Sequence, residues 1–223
     1  MKIKGYSDLP FLLQSFGVDL SLDQIRLLSV YLDELWDWNR KINLTGLYSK
    51  EQIIDDLLVD SLIPSRFLPH EGRLLDLGSG AGMPAIPLKI SKPALIMDLV
   101  EANSKKVVFL RHVIRLAGLS KISVIQGRIE NSHKLLHPEG YHVITARALA
   151  HLSQVITWCG PHLIKGGQVV AFLGVDYDQI VKESTDVLAR HGLSLVMTIP
   201  YILPGKEIKR HILIFDKGKK ILP

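Results

Sequence analysis

Apolar positions recur with a helical period over residues 1–70. Ser21 and Gln24 form a capping-box pair at the start of one apolar stripe, and Ser49 and Gln52 repeat that signature at the start of another. A shorter helix is predicted over residues 8–16, ending at Gly17. Residues 1–70 are therefore predicted to form a small helical subdomain. The two stripes comprise Ile25, Leu28, Leu32, Leu35 and Trp36, and Ile53, Ile54, Leu57, Leu58, Ser61 and Leu62.

From Arg73 onward, short apolar runs alternate with amphipathic segments. This alternation indicates βαβ units and a mainly parallel sheet over residues 71–223. No helical pattern separates the last two runs, so they are expected to pair as an antiparallel hairpin at one edge. Such a Rossmann-like, seven-stranded sheet is the architecture of class I methyltransferases. The predicted strands are 73–77, 95–101, 122–126, 142–146, 168–173, 194–201 and 208–215, and the predicted helices are 84–90, 104–117, 128–136, 153–164 and 177–191.

Composition narrows the setting in which the protein acts. The 223 residues carry a net charge of +5, divided as −3 over residues 1–70 and +8 over residues 71–223. The basic surplus favours a polyanionic partner such as nucleic acid, although a solvated surface would give the same count. Cys159 is the single cysteine, which excludes an internal disulfide and fits a reducing cytoplasm. No apolar run approaches the roughly 18 residues of a membrane span, and residues 1–6 are not followed by a signal-peptide core.

The loop after the first predicted strand is rich in glycine. Residues 74–84 read Leu-Leu-Asp-Leu-Gly-Ser-Gly-Ala-Gly-Met-Pro. A dinucleotide site would need a third glycine where Met83 stands, and a P-loop would need Gly-Lys-Ser/Thr. The spacing G-x-G-x-G after Asp76 is instead the form found in S-adenosylmethionine sites, in which the loop lies under the methionine part. The predicted cofactor-binding residues here are Asp76, Gly78, Ser79, Gly80, Gly82 and Met83.

An acidic residue ends the second predicted strand. Glu101 follows a buried run, with Ala102 directly after it. A carboxylate at this position can accept hydrogen bonds from both ribose hydroxyls of a cofactor. An exposed strand-end carboxylate with no ligand is the alternative interpretation.

With these elements in place, the sequence resembles the bacterial RsmG family, also called GidB, over nearly the whole chain. The resemblance rests on several motifs rather than on the glycine loop alone. The motifs are Trp38-Asn39-Arg40-Lys41-Ile42-Asn43-Leu44-Thr45, Asp60-Ser61, the run from Asp76 to Leu88 with its two prolines, Lys105-Lys106-Val107-Val108-Phe109-Leu110, Ala146-Arg147-Ala148 and Arg210-His211.

Four residues depart from the family pattern. Leu57 stands where the family usually has His, and Ala85 replaces a Gly. His142 stands in place of an Asp, and Leu173 in place of a Lys after the fifth strand. Loss of that lysine removes a positive charge from the expected RNA face.

The resemblance implies methylation of N7 of one guanine in 16S ribosomal RNA, with S-adenosylmethionine as cofactor and 16S rRNA or the 30S subunit as partner. Guanine N7 carries a free lone pair, so in-line placement suffices and no catalytic acid–base pair is expected. The base must be accessible, as in a loop nucleotide.

Arg147, at the end of the fourth strand, is the strongest single candidate for a site residue. It could hold the methionine carboxylate or an RNA phosphate, or could form only a surface ion pair. By the resemblance, Met83, Ile129 and Glu130 are expected to line the adenosine part, or else to pack in the core.

The predicted RNA-binding residues are polar groups near one helix end and basic groups near the carboxyl end of the chain. Asn43 is also a candidate positioning residue, although asparagines at a helix end can simply cap it. Trp36 and Trp38 could stack on a base, but a core position is favoured for both, most clearly for Trp36, which belongs to the apolar stripe. The predicted set is Asn39, Asn43, Thr45, Lys209 and Arg210, with Lys206, Lys217, Lys219 and Lys220 as further candidate phosphate contacts. For the last three of these lysines a solvated tail is an equal alternative.

Three other functions stay open on the sequence. The chain could be an inactive rRNA-binding or assembly factor, a methyltransferase for a protein or small molecule, or, more remotely, a dehydrogenase. His133 and His137 have a metal-chelating spacing but no partner at useful distance, so no metal is expected. A cytoplasmic monomer is expected.

Overall fold

The computed structural model describes residues 8–131 and 133–218. Residues 1–6, the side chain of His133, and Lys219 and Lys220, each considered above, lie outside the described part. The element bounds follow the predicted pattern closely for the strands and less closely for the helices.

One seven-stranded sheet forms the centre of the molecule, in the order β3-β2-β1-β4-β5-β7-β6. The first five strands pair in parallel, and β7 pairs antiparallel with both β5 and β6. This arrangement confirms the predicted class I methyltransferase fold and its antiparallel edge. The strands are β1 (Arg73–Leu77), β2 (Ile96–Glu101), β3 (Ile122–Gln126), β4 (Tyr141–Arg147), β5 (Leu163–Leu173), β6 (Leu193–Ile202) and β7 (Lys209–Lys217).

Nine α-helices surround this sheet in the described ranges. The run from α3 to α4 is continuous through a π-helical turn, Ile54–Leu58, and is followed by a 3-10 turn, Ile63–Phe67. The helices are α1 (Leu9–Ser15), α2 (Leu22–Ile42), α3 (Lys50–Ile53), α4 (Val59–Leu62), α5 (Ala85–Ser91), α6 (Ser104–Leu116), α7 (Leu152–Cys159), α8 (Tyr177–Glu183) and α9 (Thr185–Arg190).

Three helix predictions were wrong in extent or kind. The helix predicted over 128–136 is two short 3-10 turns, Ile129–Asn131 and His133–Leu135, because its apolar positions make no continuous stripe. The helix predicted over 153–164 ends at Cys159, since Pro161 cannot donate to the helix ladder. The helix predicted over 177–191 is broken at Ser184, whose hydroxyl donates back to Ile180 O at 2.7 Å.

The amino-terminal helices share a core with the sheet. The capping box of α2 is confirmed, because Ser21 and Gln24 exchange both of its hydrogen bonds. Gln24 Nε2 also donates to the carbonyls of Ile90 and Ser91, which ties α2 to the end of α5. The second capping box is incomplete: Ser49 caps Gln52 N–H, but Gln52 accepts from Tyr48 N–H instead of from Ser49.

Helices α2, α5 and α6 cover one face of the sheet, and α7 and α9 cover the other. The buried residues Leu28, Tyr31 and Leu35 of α2 belong to the same apolar cluster as β1 and α5. The amino-terminal helices are thereby held against the face of the sheet that α5 and α6 cover. The division into 1–70 and 71–223 stays a prediction.

Candidate functional site

Two neighbouring cavities open where the parallel strands end, the position at which α/β sheets bind ligands. The first, called cavity A here, has a volume of about 520 Å³, and the second, cavity B, about 350 Å³. Cavity A is lined by side chains that include Thr45, Asp56, Leu57, Asp60, Met83, Phe172, Leu173, Tyr201 and Arg210. Cavity B is lined by residues that include Val100, Glu101, Ala102, Gly127, Ile129, Glu130 and Trp158.

The two cavities meet at the glycine loop. Gly78, Gly80, Lys106, Arg147 and Ala148 line both of them. A ligand that fills cavity B and crosses the loop would therefore present its far end to cavity A. This contiguity of two compartments is what a cofactor and a second substrate require.

The loop glycines have two different tasks. Gly80 (φ 57°) lines both cavities, and a Cβ there would meet little, so its lack of a side chain leaves room for a ligand. Gly82 (φ 91°) turns inward, where a Cβ would lie 2.6 Å from Ile86 and 3.0 Å from Leu110. Gly82 lines neither cavity, so its place in the motif is explained by packing on α5 and α6. Tyr31 of α2 supports the same loop by donating to Ala81 O at 2.8 Å.

Glu101 fastens the loop to the end of β2. Its Oε2 accepts the Gly80 N–H and its Oε1 accepts the Asn103 N–H, both at 2.7 Å. The carboxylate is buried but lines cavity B beside Ala102, Ile129 and Glu130. Each oxygen keeps a further lone pair, so the group can accept ribose hydroxyls while it holds the loop.

Asp76 lies beneath the loop and lines neither cavity. Its Oδ1 accepts from the Thr145 hydroxyl at 2.6 Å, and its buried Oδ2 has no hydrogen-bond partner within the described part of the chain. Burial raises the pKa of Asp76 to about 6, and the Thr145 hydrogen bond acts in the opposite direction. Ser79 donates to Asp76 O and lines cavity A. Met83 also lines cavity A, whereas Ile129 and Glu130, expected beside it, line cavity B.

A buried carboxylate organises the wall of cavity A. Asp60 accepts from the Tyr201 hydroxyl and from Arg147 Nη1 at 3.3 Å, and Arg210 Nη1 lies 3.8 Å away. Arg147 also donates to Leu57 O at 3.4 Å. Burial raises the pKa of Asp60, and the charge of Arg147 opposes that effect. The sequence motif includes Asp60, yet nothing local predicted that it would join two arginines and a tyrosine.

The polar residues after α2 divide between structure and cavity. Asn39 is buried, accepts the Thr45 N–H and hydroxyl, and donates to Leu47 O at 2.7 Å. Asn43 ends α2 in the left-handed region (φ 47°) and accepts the Gly46 N–H. Of these three residues, Thr45 lines cavity A. The contacts of Asn39 and Asn43 are those of helix-end caps.

The basic candidates are distributed over the β6–β7 hairpin. Arg210 lines cavity A and donates to Asp56 O at 3.4 Å, and Lys206 forms an ion pair of 3.1 Å with Asp56. Lys209 is exposed at the start of β7. Lys217 donates to Gly160 O and Leu163 O, both at 2.7 Å, so this predicted phosphate contact is instead engaged with backbone.

The four departures from the family pattern lie in different places. Leu57 and Leu173 line cavity A, so an imidazole and a lysine at these positions would have faced its interior. Ala85 is buried at the start of α5. His142 lies near the amino end of β4, where its Nδ1 accepts the Arg73 N–H at 3.2 Å, on the side of the sheet remote from the cavities.

The two tryptophans of α2 pack against neighbouring side chains. Trp36 packs against the core and lies under the Arg40 guanidinium, and Trp38 contacts the rings of Phe109 and His112 at centroid distances of 5.6 and 5.3 Å.

Among the described residues, no three His, Cys, Asp or Glu side chains are grouped to hold a metal ion. Within residues 8–131 and 133–218, no helix is long and apolar enough to cross a membrane.

Comparison with known proteins decides the family. The family model for rRNA small subunit methyltransferase G matches residues 24–211. The chain belongs to this family. The ribosomal RNA small subunit methyltransferase G of Chloroflexus aggregans is 38% identical over 202 residues, 90% of this chain and 85% of the relative. That of Alkaliphilus metalliredigens is 32% identical over 210 residues, 93% and 88% respectively.

Solved structures extend the comparison to the fold. A methyltransferase from Pyrococcus furiosus superposes with a TM-score of 0.58 at 17% identity, covering 86% of this chain and 98% of that one. TYW2 of M. jannaschii, in complex with AdoMet, gives 0.52 at 13% identity, covering 69% and 72%. The chain thus has the class I methyltransferase fold. As a member of the rRNA small subunit methyltransferase G family it is a methyltransferase, with S-adenosylmethionine as cofactor.

The residues present fit that cofactor. Gly80 leaves the loop open, the Glu101 carboxylate faces cavity B, and the Arg147 guanidinium lies where the cavities meet. S-adenosylmethionine carries ribose hydroxyls, an adenine ring and a carboxylate. The hydroxyls match the Glu101 acceptor, the ring matches the Ile129 side chain, and the carboxylate matches the Arg147 cation.

Proposed function

We propose that this protein transfers a methyl group from S-adenosylmethionine to N7 of a guanine in 16S ribosomal RNA. The observation that carries the proposal is the meeting of two cavities at Gly78, Gly80 and Arg147 in a member of the rRNA small subunit methyltransferase G family. Cavity B would hold the adenosine part of the cofactor, and cavity A would receive the base.

The chemistry requires placement more than proton transfer. When bound, S-adenosylmethionine supplies a methyl group already activated on a sulfonium, and guanine N7 offers a free lone pair. The acids of cavity A agree with this, because Asp60 is held by Tyr201 and Arg147, and Asp56 by Lys206. Burial raises the pKa of Tyr201 well above its usual range, so its phenol stays protonated and donates to Asp60 instead of acting as a base. Proximity of this kind can contribute roughly 7–11 kcal/mol.

Individual residues of the two cavities would bind different parts of the cofactor and of the RNA. Glu101 would accept the ribose hydroxyls, and Arg147 would bind the methionine carboxylate or an RNA phosphate. The side chains of Phe172, Leu173 and Tyr201 give cavity A an apolar wall against which a base can lie. Arg210, at the same cavity, would contact a phosphate of the RNA.

Transfer of tritium from labelled cofactor tests the proposal. The substrates are 30S subunits and naked 16S rRNA that lack the modification, with fully modified subunits as control. We expect label in the RNA at a guanine N7, mapped by cleavage, and none in the control. Folded protein that binds cofactor but transfers no label would support an inactive assembly factor, for which the apolar Leu57 and Leu173 would be the reason. Label found only in protein would indicate a different substrate.

The RNA-binding and cofactor-binding roles of individual residues stay proposals. A 30S substrate, a monomeric enzyme and a cytoplasmic location are likewise predictions. Sedimentation of the purified enzyme with and without 30S subunits would measure the first two directly.

A further inference from the structure

One exposed helix face has an unusual charge. Helix α6 contains Lys105, Lys106, Arg111, His112 and Arg115 and no acidic residue. Its buried side chains, Val107, Phe109, Leu110 and Val113, contact the core, so Arg111, His112 and Arg115 lie on the opposite side. Helices α8 and α9, by contrast, mix both signs, with Asp178, Glu183 and Asp186 beside Lys182 and Arg190. The face of α6 therefore has a concentrated positive charge that α8 and α9 lack.

A groove of about 280 Å³ lies between this face and α2. It is lined by Trp38, Val108, Arg111, His112 and Arg115. The Trp38 ring is fixed by its contacts with Phe109 and His112, and Val108 is 55% exposed. The groove thus combines a fixed aromatic ring and an apolar side chain with two arginines.

The arginines of the groove are not neutralised. Neither Arg111 nor Arg115 forms an ion pair within residues 8–131 and 133–218. Arg111 donates one N–H to Val124 O at 3.3 Å, and its other N–H groups can donate to a ligand. His112 is paired with Glu34 at 2.9 Å, so its role is to hold the groove wall.

We propose that this groove, called the α6 groove, binds the sugar-phosphate backbone of ribosomal RNA next to the target nucleotide, with a neighbouring base packed on Trp38. The inference rests on the proposed function, which supplies RNA as the partner. Two unpaired guanidinium groups match phosphate, and a fixed indole matches an unstacked base. The helix that carries the groove also reaches the site, because Lys106 near its amino end lines both cavities. Residues 106 to 115 span about 14 Å along a helix, a distance of a few nucleotides.

The test is the double variant Arg111→Gln/Arg115→Gln, matched with Lys182→Gln/Arg190→Gln, which removes two exposed charges from the opposite face of the sheet. Affinity for naked 16S rRNA is measured by filter binding at several salt concentrations, KM and kcat by tritium transfer, and cofactor Kd by calorimetry. We expect the first variant to bind RNA at least tenfold more weakly, with the salt slope shallower by about 1 to 2, and to raise KM with kcat and cofactor Kd unchanged. The matched variant should behave as the wild type.

Equal RNA affinity and salt slope in the two double variants would overturn the proposal. A loss seen with 30S subunits but not with naked rRNA would also overturn it, because the occupant would then be a ribosomal protein. Failure of the proposed function gives a different result: the wild type would transfer no methyl group to RNA. Filter binding would still decide whether the α6 groove holds RNA in that case.

Discussion

Cavities A and B are built by different means. At cavity B the decisive contacts are made by backbone, with the N–H groups of Gly80 and Asn103 donating to Glu101 and those of Gly78 and Ser79 donating to Val100 O. At cavity A they are made by side chains far apart in sequence, such as Arg147 with Asp60 and Tyr201 with Asp60, 87 and 141 residues apart. Cavity B is therefore preset by local sequence, and cavity A depends on the amino-terminal helices being docked on the sheet.

The largest effect is expected from Asp60→Ala. The substitution leaves the Arg147 guanidinium and the Tyr201 hydroxyl without their shared acceptor, and an uncompensated buried charge costs about 3–5 kcal/mol. Urea unfolding measures the loss. Tyr201→Phe, which removes one hydrogen bond and keeps the ion pair, should cost about 1–3 kcal/mol. Equal stability of Asp60→Ala and wild type would show that cavity A does not depend on this cluster.

The two cavities also differ in how far the sequence could predict them. The glycine spacing and Glu101 lie within single motifs, and strands alternate with helices along the chain, so the fold class, the family and the cofactor were predicted correctly. The partners of Asp60 could not be predicted, because Arg147 and Tyr201 lie 87 and 141 residues away and only the fold brings them to its helix. Gly82 shows the opposite limit: a motif residue that seemed to contact ligand packs on Ile86 and Leu110.

Asp76→Asn should change how stability depends on pH. The folded-state pKa of about 6 lies above the usual 3.8, so the folded protein gains stability from this group below pH 4 and loses it as pH rises to about 6. A shift of this size corresponds to about 3 kcal/mol. Asn keeps the acceptor for the Thr145 hydroxyl without an ionisable group, so its unfolding free energy should vary less between pH 4 and 6. Identical pH profiles for the two proteins would rule this explanation out.

Two glycine substitutions separate packing from ligand access. Gly82→Ala should destabilise the fold by about 2–3 kcal/mol, since it adds a close contact with Ile86 to the cost of a positive φ. Gly80→Ala has the strain alone, about 1–2 kcal/mol, but places a methyl group between the cavities. We expect calorimetry to show cofactor affinity at least tenfold weaker for Gly80→Ala than for wild type. A larger loss of stability in Gly80→Ala than in Gly82→Ala would contradict this division.

The smallest effect is expected from Lys206→Gln. Its ion pair with Asp56 is partly exposed at the mouth of cavity A, with 44% of the lysine side chain accessible, and such pairs contribute less than about 1 kcal/mol. Thermal unfolding at low and high salt should show a difference from wild type only at low salt. The control is Lys209→Gln, because Lys209 forms no ion pair among the described residues.

Comparison of Glu101→Gln with Arg210→Gln tests whether cavity B binds the cofactor and cavity A binds RNA. Cofactor Kd is measured by calorimetry, and KM for RNA by tritium transfer at saturating cofactor. We expect Glu101→Gln to weaken cofactor binding about tenfold and to leave KM for RNA within twofold, whereas Arg210→Gln should raise KM for RNA and leave cofactor Kd within twofold. Parallel changes of both constants in both variants would contradict this assignment of the two cavities.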